Sequence, residues 1–427
     1  EKAEDLLAQQ IHPTMIARGY RLALKMVQDA VCGTDDNMGV GMRVTTREEI
    51  KQVAKTALTG KSAESAAEVL SSICVDAIDA VKEGDDIDLD HIKVLSFDGG
   101  TSQESRLEQG VVIEKEAIHS EMNANLTDAS VLLITSALEI KETKFDAQLS
   151  ITDPAQIDDF LAQEENALKE IAHSIGVHGV TVVFCQKEID DLCAHYLAKL
   201  GITALKRVKK SDMNALSRLT GAKFVSNVEE IDIDDLGLAS AVEAVQFGEH
   251  HCTSVRADGA KTVTVCLRGA ASHGSAEVER AFDDALGVTS LASIGPIVAG
   301  GGAVHAHLAR ILREAALEIG DRVGMALEAY ASALESIPRT LAENAGVDPV
   351  DTLIALRRAG GWKCGVSTEG DIIDMIEEGV VEPQKVVLKA IECATETAVM
   401  ILRIDDVISM KNPQGQGVES GFGMGTM

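Results

Sequence analysis

Three consecutive glycines, Gly300-Gly301-Gly302, follow the apolar run Ile297-Val298-Ala299 and open a helical pattern. A turn of that kind bares backbone N–H groups at a helix N-terminus, where peptide dipoles favour an anion such as a phosphate. No Lys-Ser or Lys-Thr follows, so the turn is not a P-loop, and alone it reads as only a turn. Upstream, Asp283-Asp284 lies on an acidic helical stretch and by itself describes a solvated face. Lys61 in Thr59-Gly60-Lys61 is an isolated cation, and Glu382-Pro383 places a carboxylate at the start of a helix, an ordinary position for one. His195 near Cys193, and the run His250-His251-Cys252, are of metal-ligand type, but their spacing matches no standard zinc pattern, so no metal ligand is assigned. No nucleophile–base pair stands out that would favour a conventional small-molecule enzyme.

The elements that must hold these residues differ along the chain. The outer thirds are helical in pattern: a stretch beginning at Pro13, another over 303–335 and a third over 383–404, each rich in Ala, Leu, Ile and Glu at amphipathic spacing. In the middle, β-rich runs at 130–138, 180–186, 202–208 and 223–227 alternate with helical stretches, the mark of βαβ units around a largely parallel sheet. The longest helix of that region is predicted to start at Asp153-Pro154, with Asp153 as its cap and Gln156 closing a capping box. Its stripe of Ile157, Phe160, Leu161, Leu168, Ile171, Ala172 and Ile175 packs on a core or a partner. The pattern implies one helical domain built from both ends of the chain, an α/β domain between, and a hinge crossed twice.

The chain has 427 residues, 45% of them hydrophobic, enough to bury cores in two or three domains. Its 68 acidic residues against 39 basic ones give a formal charge of −29, which argues against nucleic acid or an anionic membrane as a partner. A solvated acidic surface explains the excess, and so does adaptation to a salt-rich cytoplasm. No apolar run reaches the roughly 18 residues of a membrane span, and no basic-plus-apolar leader opens the chain, so a soluble, cytoplasmic protein is expected. Eight cysteines without a Cys-x-x-Cys pair read as buried, reduced thiols.

The segments IHPTMIARGY, ALTGK, GVVIEKEAIH, KETKFDAQLSITDP, VVFCQKEIDDLCAHYLAK, RVKKSDM, VERAFDDAL, IVAGGGAV, IPRTLAENAG and LRIDDVI resemble those of thermosome-type chaperonins, the archaeal group II family. The resemblance covers nearly the whole chain. It implies a multi-domain α and α/β fold: a helical equatorial domain from 1–44 and 293–410, a small α/β intermediate domain from 45–109 and 252–292, an α/β apical domain at 110–251 with a helical protrusion as built-in lid, and a disordered Gly/Met tail at 411–427. It further implies an ATP-hydrolysing subunit of a double ring with eight or nine identical or paralogous subunits per ring, acting on unfolded polypeptides held by apolar apical patches, to which the helix from Phe160 is expected to contribute.

By the same resemblance, Asp284 orients and deprotonates the attacking water, Lys61 senses the γ-phosphate from the intermediate domain, Gly300, Gly301 and Gly302 lie against the nucleotide, Glu382 bonds the ribose, and backbone groups at Val366 line the base. The cofactors are then ATP and Mg²⁺. Asp283 is the neighbouring, weaker choice for the water-orienting acid. Several positions depart from the family pattern: the stretch after Asp284 is about one residue short, His305 stands where Glu is common, Cys364-Gly365-Val366-Ser367 replaces a more typical Gly-Leu-Asn-Val, and Ala270 replaces a second glycine beside Gly269. The family's Gly-Asp-Gly-Thr-Thr loop, which carries the magnesium ligand, and its Gly-Pro-Lys-Gly segment are not among these 427 residues, so the chain as given is expected not to bind ATP tightly or hydrolyse it. The competing reading is an ATP-independent holdase or a truncated, non-functional subunit.

Overall fold

The computed structural model describes residues 2–33, 41–43, 46–140, 154–259, 261–269 and 272–404, and of these all side chains except those of residues 43, 154–161 and 272–275. Residues 141–153 of the expected lid segment at 140–171, the cap Asp153 among them, the side chains of its stripe through Leu161, Ala270 and the 411–427 tail lie outside that set. The chain divides into two compact units. One comprises Glu1–Gly41, Ala299–Met375 and Val386–Met427; the other comprises Met42–Val298 and Ile376–Lys385.

The first unit is helical. Pro13 opens the helix Pro13–Cys32, as its fixed φ and missing N–H suit a first helical position, and His12 accepts from Thr14 N–H to cap it. The predicted helix over 303–335 is instead two, Ala303–Ile319 and Arg322–Leu334, packed side by side. Gly320 ends the first, and Asp321 caps the second through Val323 N–H at 2.7 Å and Gly324 N–H at 3.2 Å. A Gly followed by an Asp is a stop and a start in one dipeptide, and here it outweighs the uninterrupted apolar period. Ile16, Ala23, Leu308, Leu312, Ala326 and Leu327 are buried, and Tyr20 and Tyr330 meet edge to face at 5.5 Å. Asp348 caps the helix Pro349–Ala359, which leads into the antiparallel hairpin Cys364–Val366 and Ile372–Asp374.

The second unit holds two larger sheets. In the three-stranded one, Ile92–Asp98 runs parallel to Val263–Gly269, with Arg106–Gln109 antiparallel on the other side. The helices Arg47–Leu58, Ala67–Val81 and Ser272–Ile294 pack together beside it, the first capped by Thr46 with Glu49 closing the box. The seven-stranded sheet is parallel over the predicted runs, Asn125–Ile134, Val182–Cys185, Thr203–Leu205 and Phe224–Val225. Its other half is antiparallel: Gly237–Phe247, His250–Arg256 and Val111–Ile113. The sheet is therefore mixed rather than largely parallel, because Gly248-Glu249 makes a two-residue hairpin that only an antiparallel pair can use. The helix Pro154–Val177 buries Leu168, Ala172 and Ile175 against this sheet, so the described part of that stripe is spent on the core rather than left for a client.

Candidate functional site

The helix Ser272–Ile294 turns Val278, Ala281, Phe282, Ala285 and Leu286 into a core shared with Leu58, Leu70, Ile73 and Cys74. That stripe occupies one face and leaves Asp283 and Asp284 exposed on another. Lys61 comes from the connection after Arg47–Leu58, whose last turn closes with Thr59 N–H donating to Lys55 O at 3.1 Å. Gly60 follows at φ +75°, and a Cβ there would meet nothing within 4 Å, so glycine is required for its conformation and not for space. The turn delivers Lys61 Nζ to Asp284 Oδ2 at 2.7 Å. Both side chains keep contact with solvent, 38% and 59% exposed, so the pair contributes little to stability and exchanges partners easily.

The surroundings of that pair are already rich in negative charge. Partial desolvation and the charge of Asp284 raise the Asp283 carboxyl above its ordinary range, and desolvation with the charge of Asp283 does the same to Glu279. Asp284 has the cation as its partner.

The glycine turn belongs to the helical unit. Gly301 at φ +58° and Gly302 at φ +72° lead directly into Ala303–Ile319. A Cβ on Gly301 would lie 2.6 Å from Met375 Sδ and 2.9 Å from Val366 O, so both conformation and close packing demand glycine. Val366 N–H donates to Gly301 O at 2.9 Å, which brings these two predicted site residues into direct contact, while the Val366 side chain is buried with Leu353 and Leu356. Ala303 N–H turns back to Gly300 O at 3.0 Å. The next two first-turn N–H groups, on Val304 and His305, have no backbone acceptor among the described residues. A helix start with unclaimed donors beside a tight glycine turn suits an anion.

His305 also lines an apolar cavity of about 660 Å³ with Tyr20, Tyr330, Ile391 and Ile401. Its Nδ1 is buried without a partner, and burial lowers its pKa, which favours the neutral ring.

Glu382 lies in the short strand Val381–Pro383, next to Pro296–Ala299 in its sheet. Burial pushes its carboxyl up to about 7, and no ion-pair partner is found for it among the described residues. The residue keeps partial contact with solvent, and a carboxylate there can accept from the two hydroxyls of a ribose.

Lys61, Asp284 and Glu382 thus belong to the second unit, and Gly300, Gly301, Gly302 and Val366 to the first. Two contacts, Lys61 with Asp284 and Gly301 with Val366, join candidates within a unit.

The cysteines depart from expectation at two places. Cys74, Cys185, Cys193, Cys252 and Cys266 are buried and Cys364 is half-buried, but Cys32, the last residue of Pro13–Cys32, and Cys393, on an outward face midway along Gln384–Ile401, are exposed. Burial pushes the Cys193 thiol up to about 12 and removes it as a ligand partner for His195. His195 instead faces His119 at 5.6 Å between ring centroids, and with Glu121 these residues bring ligand atoms within 4.8 Å of one another. Their separation in the chain hides this cluster from any spacing rule.

Over residues 1–412 the chain matches the model of the TCP-1/cpn60 chaperonin family. The chain belongs to that family. It is 45% identical over 420 residues to a thermosome subunit of Methanopyrus kandleri, covering 96% of this chain and 76% of that one, and 44% identical over 422 residues to thermosome subunit 1 of Haloferax volcanii, covering 97% and 74%. Among solved structures it resembles the open-state monomer of a group II chaperonin from Methanococcoides burtonii, with a TM-score of 0.68 and 33% identity over 94% of this chain and 96% of that one. The fold is that of a group II chaperonin, and this chaperonin chain is a chaperone subunit that folds proteins in a double-ring chamber. No described helix of it is long and apolar enough to cross a membrane.

Proposed function

We propose that this chaperonin subunit, in a full-length form that carries the Gly-Asp-Gly-Thr-Thr loop, hydrolyses ATP with Asp284 as the water-orienting carboxylate and Lys61 as the cation that reads the γ-phosphate. One observation carries the reading: Lys61 and Asp284, remote in the chain, are hydrogen-bonded at 2.7 Å on a solvent-exposed face. Without phosphate, the carboxylate neutralises the lysine. A γ-phosphate competes for the same ammonium, and an exposed pair yields to it at small cost. Asp284 is then free to accept a proton from a water aligned for in-line attack. Exchange of Lys61 between carboxylate and phosphate ties nucleotide state to the intermediate segments 45–109 and 252–292, the order of switch that closes a lid over an unfolded client.

In the same reading the turn at Gly300, Gly301 and Gly302 offers N–H groups to phosphate oxygens, Val366 borders the base, and Glu382 takes the ribose hydroxyls. Bound ATP supplies the phosphoryl group and Mg²⁺ its counter-charge; none of the assigned residues is a magnesium ligand. Supporting the fit are the unclaimed N–H groups after the glycine turn and the desolvated, unpartnered Glu382 carboxyl. The subunits of the ring, eight or nine in each, are identical or paralogous copies, the compartment is the cytoplasm, and the charge of −29 suits high salt and a hydrophilic chamber.

The test is phosphate release by the full-length protein with Asp284→Ala, alongside equilibrium binding of ATP and recovery of a denatured client enzyme. Loss of turnover and of client recovery with ATP binding retained is the expected result. Turnover at the parental rate removes Asp284 from the role, and client recovery that ignores ATP altogether favours the holdase.

A further inference from the structure

Two imidazoles and a carboxylate, none of them assigned to the nucleotide, converge in the seven-stranded-sheet part of the second unit. His119 and Glu121 lie in the connection after Val111–Ile113, and His195 lies on the helix Asp191–Lys199. Their ligand atoms are all within 4.8 Å of one another, with the two histidine rings tilted by 51°. We propose that His119, Glu121 and His195 form a binding site for a divalent transition-metal cation, Zn²⁺ being the best match, that clips this connection to the helix.

Both carriers are held in place before any metal arrives. The connection is pinned on each side of its ligands to the strand Thr203–Leu205: Ile118 N–H donates to Ala204 O at 3.0 Å, and Thr203 Oγ1 donates to Asn123 O at 2.8 Å. Met122, between them, is buried and its sulfur accepts from Ala204 N–H at 3.2 Å. The helix is capped by Asp190 and locked by buried Cys193, Ala194 and Leu197, which leaves His195 on the face toward His119. A tetrahedral zinc with bonds near 2.0–2.1 Å needs ligand atoms about 3.4 Å apart, so closure takes side-chain rotations of about 1 Å and no backbone change. Glu121 N–H donates to His119 Nδ1 at 3.2 Å, a long bond and a modest loss if the ring shifts to present a lone pair to the metal.

The donor set also sets the preference. Two imidazoles with one carboxylate suit zinc and its neighbours, whereas Mg²⁺ asks for an oxygen octahedron. Three protein ligands leave a fourth position to water, since His119 and His195 are only half-buried and Glu121 is exposed. The site is therefore separable from any magnesium that accompanies ATP.

The experiment titrates the full chain, first stripped with EDTA, with Zn²⁺ and with Co²⁺ as a visible reporter, in the presence of a large excess of Mg²⁺ and without nucleotide. One equivalent bound, a rise in melting temperature with Zn²⁺, and at least tenfold weaker binding in both His119→Ala and His195→Ala support the site, provided His251→Ala binds as the parent does. Metal-free melts of the variants report whether they fold. Should they fail to fold, zinc protection of His119 and His195 from carbethoxylation in the unmodified chain decides the matter. No stoichiometric Zn²⁺ or Co²⁺ binding, displacement by Mg²⁺, binding that survives both substitutions, or equal carbethoxylation with and without zinc overturns it.

Discussion

Lys61 Nζ lies 2.7 Å from Asp284 Oδ2 although 223 positions separate the two in the chain. The contact joins a turn after one helix to the outward face of another, and no local rule of spacing would find it. Its chemistry makes a specific demand. A carboxylate paired with an ammonium is held out of use until an anion of higher charge claims the ammonium. Asp284→Ala should lower ATP turnover by about 10²–10⁴-fold while nucleotide binding stays within a few-fold. Lys61→Ala should weaken ATP more than ADP, because only the triphosphate carries the group it reads. Steady-state phosphate release and paired ATP and ADP titrations measure both, and equal losses for the two nucleotides would count against the sensor role.

Glu335 is the second test, of stability rather than chemistry. It is 4% exposed, and Arg313 and Arg357 each donate two hydrogen bonds to it, three of the four at 2.7–2.9 Å. Burial alone would raise its carboxyl, but the hydrogen bonds and charges of the two guanidiniums outweigh it and hold the group below its ordinary range. Glu335→Gln leaves half-buried Arg313 and exposed Arg357 facing a neutral amide and should cost about 3 kcal/mol. A group with a depressed folded-state pKa contributes fully above its unfolded value and loses its contribution as pH falls through the folded one. The melting gap between parent and variant should therefore be wide at pH 7 and close as the medium becomes strongly acidic, which thermal melts across pH will show.

The two arginines illustrate what the sequence conceals. The segment around Ser336-Ile337-Pro338 carries the family resemblance, yet Glu335 looks like any solvated helical acid until the fold brings Arg313 and Arg357 to it. Helix starts at Pro13 and Pro154 and the four parallel strands were legible, because caps, proline and β-rich runs act over a few residues. The break at Gly320-Asp321 was also written locally but hidden by an apolar period that continues across it. The antiparallel half of the larger sheet depends on partners far apart in the chain, as do the Lys61 with Asp284 pair and the His119, Glu121 and His195 cluster. Periodicity records which face is buried and is silent on what buries it. Roles for Asp284 and Lys61 were readable only through resemblance to relatives.

Glu382 offers a pH dependence of the opposite sign to Glu335. Its folded-state carboxyl is raised to about 7 by burial, so the protonated form is favoured on folding and ionisation costs stability as pH climbs from the unfolded value near 4.3 through 7. Glu382→Gln removes the ionisable group while keeping its shape and should stabilise the protein above pH 7 by roughly 3–4 kcal/mol at most, with little gain at pH 4.5. If ribose hydroxyls complete the site, the same change should also weaken ATP binding several-fold at pH 8. Melts at the two pH values and one nucleotide titration check the pair of outcomes; a variant no more stable at pH 8 than at pH 4.5 would show that the carboxyl titrates normally.

Gly60 and Gly301 separate two reasons for needing glycine. Both have positive φ, +75° and +58°, but a Cβ at Gly60 meets nothing within 4 Å, whereas at Gly301 it runs into Met375 Sδ at 2.6 Å and Val366 O at 2.9 Å. Gly60→Ala should therefore cost only the left-handed strain of one residue, about 1–2 kcal/mol, and show itself in turnover, because Lys61 is the next residue and its reach to Asp284 depends on that turn. Gly301→Ala carries the same strain plus a backbone clash that cannot relax by rotating a side chain, so the loss should be larger, roughly 2–4 kcal/mol, and ATP affinity should fall with it. Thermal melts rank the stabilities, and nucleotide titration against phosphate release separates binding from turnover. If Gly60→Ala weakened ATP binding as much as Gly301→Ala, the division between a turn that aims Lys61 and a turn that meets the nucleotide would fail.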